Sequence, residues 1–171
     1  YTPAGKLVDV FLNGEYKGTY QLCDQIEVAA ERVPIEEMPT STTTLPDLSG
    51  GYFLEMDAYA DQEISWFTSG RNYIPVTIKY PKDDKIIPVQ RDYIINQFNS
   101  MEKALYAANY TDLVNGFRKY IDTETFIRHF LVGELSGNTD TYWSTYLYKF
   151  KNNDKFYVGP VWDFDIAYEN D

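Results

Sequence analysis

The hydrophobic pattern of this 171-residue chain changes period at Pro88, from strand-like to helical, and that change most constrains what the chain can fold into. Before Pro88 the apolar residues favour alternation, which lines one face of an extended strand. Lys6-Leu-Val-Asp-Val-Phe-Leu12 and Lys17-Gly-Thr-Tyr-Gln-Leu22 flank Asn13-Gly14. Both turn residues tolerate positive φ, so the pattern predicts a β-hairpin. Gly51–Asp57 and Tyr73–Tyr80 predict further strands, with Pro75 near a strand start, where a missing N–H matters least. Between them, residues 33–51 hold three prolines and Ser41-Thr-Thr-Thr44, which predicts an exposed loop. After Pro88, Ile94, Phe98, Met101, Leu105 and Ala108 recur at three- and four-residue steps, predicting a helix over Val89–Ala108. Thr111–Tyr120 predicts a shorter helical run, weakened by Gly116. Asp122 reads as an N-cap, with Glu124 in the first turn, for a helix over Thr123–Leu135 that Ser136-Gly137-Asn138 ends. Its residues Phe126, Ile127, Phe130, Leu131 and Leu135 predict that little of it is fully exposed. The chain then returns to β-like runs at Thr145–Phe150 and Lys155–Gly159 around a turn at Asn152–Asp154. Hairpin, sheet, helices and hairpin in that order make the class α+β.

Charge and composition narrow the partners. The net charge of −11 argues against broad nucleic-acid binding, which relies on Lys and Arg neutralising phosphates. An aromatic content of 17% excludes disorder, because so much Tyr and Phe can bury a core. No apolar run approaches the roughly 20 residues of a membrane span. The lone Cys23 excludes an internal disulfide framework. The sequence opens at Tyr1 without an initiator Met or signal peptide and closes just after a carboxylate cluster. The expectation is therefore a piece of a longer protein, whose compartment this stretch does not reveal.

The polar groups with chemical potential concentrate in the last third. Asn138-Thr-Asp140 follows a helix end, and Asp163-Phe-Asp165 follows the next hairpin, 23 residues after Asp140. A hairpin returns the chain to its starting side, so the two loops are expected to meet. Carboxylates converging among Trp143, Trp162 and Phe164 need a cation or hydrogen-bond donors to offset their desolvation. Hard oxygen ligands without a Cys/His cluster favour Mg²⁺. The competing reading is that Asp163 and Asp165 merely cap turns.

Four runs carry a resemblance: Val8-Asp-Val-Phe-Leu-Asn-Gly-Glu-Tyr-Lys-Gly-Thr-Tyr20, Gly51-Tyr-Phe-Leu-Glu-Met-Asp57, Phe130-Leu-Val-Gly-Glu-Leu-Ser-Gly-Asn-Thr-Asp140 and Gly159-Pro-Val-Trp-Asp-Phe-Asp165. In this order they resemble the spore-coat-protein CotH family of atypical kinases. The resemblance implies a diverged protein-kinase-like fold that binds ATP with Mg²⁺ and phosphorylates Ser/Thr hydroxyls of protein substrates. It implies Asp140 as the catalytic aspartate and Asp163 as a metal ligand, with Asn138 and Asp165 as supporting ligands or groups behind them. The run Cys23-Asp24-Gln25 resembles the hinge that lies against the adenine. It also implies a cell-surface, extracellular or envelope setting and a hydroxyl-rich protein substrate, and the chain's own negative charge favours a basic one.

The chain departs from the family pattern at three places. Asp24 stands where the family usually has Glu, and Thr145 stands where ordinary kinases keep an Asn ligand. The Arg-Gly-Asn-Ser-like turn and KPYR-like strand have no counterpart. The expectation is thus a partial domain over 1–171, holding the carboxylate half of a site, little of its cationic half, and weak activity alone. Lys79, in Val76-Thr-Ile-Lys79, is similar to the kinase strand that grips phosphates, but reads better as a solvent-facing strand lysine. His129 reads as a packed or half-exposed helix residue, and Cys23 as a small buried hydrophobe. Glu55 and Asp57 read as the polar face of a half-buried strand, and the abundant tyrosines as amphipathic surface. A non-enzymatic cell-surface adhesin or binding module is the main alternative function. A carboxylate-pair glycan hydrolase is a third, although no glycosidase motif is present.

Overall fold

The computed structural model describes residues 2–170, with two α-helices and seven strands among them. Strands β1 (Gly5–Leu12) and β2 (Glu15–Cys23) form the predicted hairpin. Its two-residue turn places Asn13 and Gly14 at φ of 52° and 83°, the left-handed pair that matches strand twist. The remaining strands are β3 (Tyr52–Met56), β4 (Trp66–Thr68), β5 (Pro75–Tyr80), β6 (Thr145–Lys149) and β7 (Tyr157–Val158). They form one antiparallel sheet in the order β4-β5-β3-β6-β7. The architecture is α+β, as the element order predicts.

Helix α1 (Pro88–Leu105) begins with Pro at its first position, where no intrahelical N–H is required. Its face of Ile94, Phe98 and Met101 covers one side of the sheet. There it meets Tyr52 and Leu54 of β3, Val76 and Ile78 of β5 and Leu147 of β6, which period two points the same way. Each such side chain contributes roughly 1.5–3 kcal/mol on burial. Glu102, only 3% exposed, clamps α1 to the β4–β5 turn. Its carboxylate accepts from Ser69 Oγ at 2.8 Å, Arg71 N at 2.9 Å and Asn72 N at 3.0 Å.

The opposite sheet face carries Phe53, Glu55, Thr77, Lys79, Tyr146 and Tyr148. Phe53 and Tyr146 pack there with Val33 and Ile35, and with Ile26, Val28 and Trp162 at the margin. This packing corrects the expectation of an exposed loop over 33–51, because Val33, Ile35, Met38 and Leu48 are buried. The segment is also tied down by Gln90, whose Nε2 donates to Pro39 O and Thr42 O.

Helix α2 (Thr123–Ser136) starts as predicted, with Asp122 Oδ1 accepting from Thr125 N at 3.0 Å. Gly137, at φ 63°, caps its end. Its predicted burial does not hold. Ile127, Phe130, Leu131 and Leu135 are all exposed, because the helix packs inward through half-buried Phe126 against the core and through His129, Gly133 and Ser136 against the neighbouring loops. The expected helix over 111–120 is also absent. Turns and a short 3₁₀ segment, Phe117–Lys119, replace it. The Asp112 carboxylate there accepts from the backbone N–H groups of Val114 and Asn115 and so competes with helix formation. Strand β4 carries no clear sequence signal, since three residues are too few to show alternation.

Candidate functional site

Two loops bracket the β6–β7 hairpin. The first, Asn138–Ser144, leaves the end of α2, and the second, Pro160–Asp165, follows β7. Both line one pocket that holds Asn138, Asp140, Trp143, Trp162, Asp163 and Phe164. Asn138, 6% exposed, bridges the loops with its side-chain amide. Its Oδ1 accepts from Asp140 N at 3.1 Å, and its Nδ2 donates to Asp163 O at 3.0 Å. Trp162 makes a second bridge, its Nε1 donating to Ser144 O at 2.8 Å. The indole also rests against Tyr146, with ring centroids 5.6 Å apart. At the far end, Tyr168 N donates to Ser136 O in the last turn of α2 at 2.7 Å.

Asp163 occupies the boundary between this pocket and an adjoining open cleft, which Asp24, Gln25, Lys79, Tyr146 and Asp165 line as well. Its backbone is left-handed, at φ 58°. Asp tolerates that conformation better than most residues, though it still carries a cost, and such costs gather at sites with a task. Partial burial first, then the charges of Asp165 and Asp140, push the Asp163 carboxyl above the ordinary carboxylate range. Asp163 therefore senses the charge of Asp165 and Asp140, and a cation beside it would relieve that repulsion.

Lys79 enters the same cleft from β5. Its Nζ lies 3.1 Å from Glu55 Oε2 and 3.8 Å from Glu63 Oε1. The Glu55 side chain is 8% exposed and that of Lys79 35%. Glu55 is thus a buried partner rather than the outer face of a half-buried strand, whereas Lys79 is exposed as expected and borders the cleft. Tyr146 lies opposite Glu55 in the β3–β6 register. Burial, then the Glu55 charge, raises the Tyr146 phenol far above its usual range, so the hydroxyl stays protonated. Lys79 thus places one ammonium group at the cleft, paired with Glu55.

The hinge-like residues also border the cleft. Asp24 is held in place: its N–H donates to Ala4 O at 2.9 Å, and its Oδ2 accepts from Ala4 N at 3.3 Å. Arg32 approaches Asp24 at 3.7 Å and pairs with Glu27. Cys23 is exposed, not buried as expected, because the hairpin stands clear of both core clusters. Gln25 is exposed. His129 is half-buried, and its Nε2 donates to Thr141 O at 3.1 Å.

Among the described residues, no group of three or more His, Cys, Asp or Glu side chains could hold a metal ion unaided. The donors at hand are carboxylate oxygens, however. That set suits Mg²⁺, which commonly takes one or two carboxylates and completes its shell with substrate phosphates and water. No described helix is long and apolar enough to cross a membrane.

Sequence reasoning reached Asp140 and Asp163 because a single hairpin separates them. It set Lys79 aside and missed the pairing with Glu55. The available signal was the period-two spacing of Thr77 and Lys79, but it has meaning only once Thr77 is known to pair with Glu55.

Comparison with curated proteins returned no match. Comparison with solved structures returned none either. The family model described as CotH kinase protein matches residues 1–171, the whole of the sequence. With the motif order and the aspartate-lined loops in view, the chain belongs to the CotH kinase family.

Proposed function

We propose that this chain forms an ATP- and Mg²⁺-dependent, kinase-like phosphotransfer site in a diverged kinase-like fold, acting on hydroxyl groups of protein substrates. The supporting observation is the cleft that Lys79, anchored by buried Glu55, lines together with Asp163 and Asp165, with Asp140 in the adjoining pocket. Phosphoryl transfer depends mainly on positioning and charge stabilisation, which is what such an arrangement can supply. Asp163 and Asp165 would hold Mg²⁺, which when bound offsets the negative charge of the phosphates. Asp140 accepts the proton of the attacking substrate hydroxyl as the phosphoryl group moves to that oxygen and ADP departs. Lys79 offers its ammonium to the phosphates, and Asn138 keeps the Asp140 and Asp163 loops in register. The segment Cys23–Gln25 borders the adenine end. The domain is read as the later share of a larger family domain.

Isothermal titration with ATP and Mg²⁺, paired with a phosphotransfer assay, tests this reading. Asp163→Ala should abolish Mg²⁺-dependent nucleotide binding. Asp140→Ala should abolish transfer while retaining much of the nucleotide affinity. Equal binding by wild type and Asp163→Ala would remove the metal assignment, and transfer surviving in Asp140→Ala would remove the catalytic one. A binding-module reading draws on the exposed apolar residues of the hairpin, Leu7, Phe11, Tyr20 and Leu22. It requires partner binding that is indifferent to Asp140→Ala.

A further inference from the structure

The inner side of α2 meets the Asp140 loop at an unusually close approach. A Cβ added at Gly133 would lie 2.5 Å from Thr141 Cγ2, 2.8 Å from Thr141 Oγ1 and 3.0 Å from Thr141 Cβ. Any side chain at 133 would therefore push Thr141, the neighbour of Asp140, out of place. One turn earlier on the same helix face, His129 Nε2 holds the Thr141 carbonyl at 3.1 Å. A carbonyl only accepts, so Nε2 carries the proton. Thr145 Oγ1 donates to the same carbonyl at 2.8 Å, fixing it from β6. The Gly133 carbonyl in turn accepts from Asn138 N at 3.1 Å, the residue that bridges to Asp163. The whole turn from Asn138 to Thr141 is seated on two positions of α2.

We infer that Gly133 and His129 are positioning residues, a seat that sets the place of Asp140 relative to Asp163. This rests on the phosphotransfer reading for its effect on rate, but the seat itself is a matter of packing. Misplacing a reacting group by about 1 Å can cost on the order of 100-fold in rate. Gly133→Ala acts first on Thr141 and its neighbour Asp140, and reaches Asp163 only indirectly, through the Asn138 bridge. The defect should therefore appear in kcat and not in KM for the nucleotide.

The test is a size swap. Gly133→Ala should lower kcat by roughly 100-fold with an unchanged nucleotide KM. Thr141→Ala alone should remain near wild type. The double variant Gly133→Ala/Thr141→Ala removes the 2.5 Å and 2.8 Å contacts and should regain most of the lost kcat. His129→Phe, which fills the ring's space without donating, should reproduce the kcat-only defect. In ¹⁵N NMR spectra, the Asp140 and Thr141 amides should shift in Gly133→Ala and return in the double variant. Wild-type kcat in Gly133→Ala, or a double variant as slow as the single, would overturn the inference. If the wild type transfers no phosphate, the phosphotransfer reading falls and the NMR arm still decides the seat. Unshifted Asp140 and Thr141 amides in Gly133→Ala would then refute it.

Discussion

Replacing Lys79 by alanine should separate a structural ion pair from a nucleotide contact. The substitution leaves the Glu55 carboxylate, 8% exposed, without the ammonium 3.1 Å away. Breaking a fully buried pair by removing one partner costs about 3–5 kcal/mol, and an exposed pair contributes about 0–1 kcal/mol. Here one end is buried and the other is 35% in solvent, so water replaces part of the lost partner. About 2 kcal/mol is the expected loss. For a domain of this size that lowers Tm by about 4–8 °C in a calorimetric melt. A charge-assisted hydrogen bond to phosphate contributes about 1.5–3 kcal/mol, so the Kd for ATP with Mg²⁺ should rise roughly 10- to 150-fold. Titration calorimetry at fixed physiological ionic strength, where exposed charges are screened equally in all variants, measures it. Glu55→Gln serves as the control. It keeps the shape beside Tyr146, lowers Tm by less than Lys79→Ala, and leaves the ammonium in the cleft. A Lys79→Ala protein that melts earlier but binds the nucleotide as tightly as wild type would refute the phosphate role and leave only the pair. Unchanged melting would refute the energetic argument itself.

Two further expectations follow from the same geometry. Glu102→Ala strips Ser69 Oγ, Arg71 N and Asn72 N of their common acceptor; the folding free energy from urea denaturation should fall by about 3 kcal/mol, and a loss below about 1 kcal/mol would mean that the β4–β5 turn needs no clamp. At Asp163 the raised carboxyl value means that ionisation opposes folding of the unliganded protein. That penalty is full above the folded value and disappears as pH falls through it to the unfolded value. Asp163→Asn should therefore be the more stable unliganded protein at pH 7, with an advantage that vanishes toward pH 3, yet lose the rise in Tm on adding ATP with Mg²⁺. Retention of the full ligand-dependent rise would show that Asp163 holds no metal.

Much of the local structure is legible from residues alone. Asn13-Gly14, Pro88, Asp122 and Gly137 each mark a boundary through their own backbone preference or side-chain acceptor, and the structure places elements there. The juxtaposition of Asp140 and Asp163 is legible for a related reason: a short hairpin between two loops leaves the chain few ways to keep them apart. Failures arise where burial depends on a distant partner. Ile127, Phe130, Leu131 and Leu135 form an apolar stripe like any core stripe, but the core and the neighbouring loops meet the other side of α2. Cys23 resembles a buried thiol by composition, yet its hairpin stands away from both cores. Val33 and Ile35 sit in a proline-rich loop, yet the sheet face away from α1 covers them, and Met38 joins the core on the α1 side.

The boundary between these two kinds of knowledge is physical. Periodicity, caps and turn residues act through bonds within a few residues, so the string of residues alone settles the α+β class, the hairpins and the location of the aspartate loops. The register of β3 against β5 and β6 is set by which distant apolar faces pack together, and it is this register that brings Glu55 to Lys79 and Tyr146. The absence of a side chain at Gly133 likewise acquires meaning only when Thr141 lies against it, across a helix end and a turn. The two aspartate loops were written in the chain's local order, whereas the lysine that shares their cleft and the close approach of Gly133 to Thr141 came from tertiary packing.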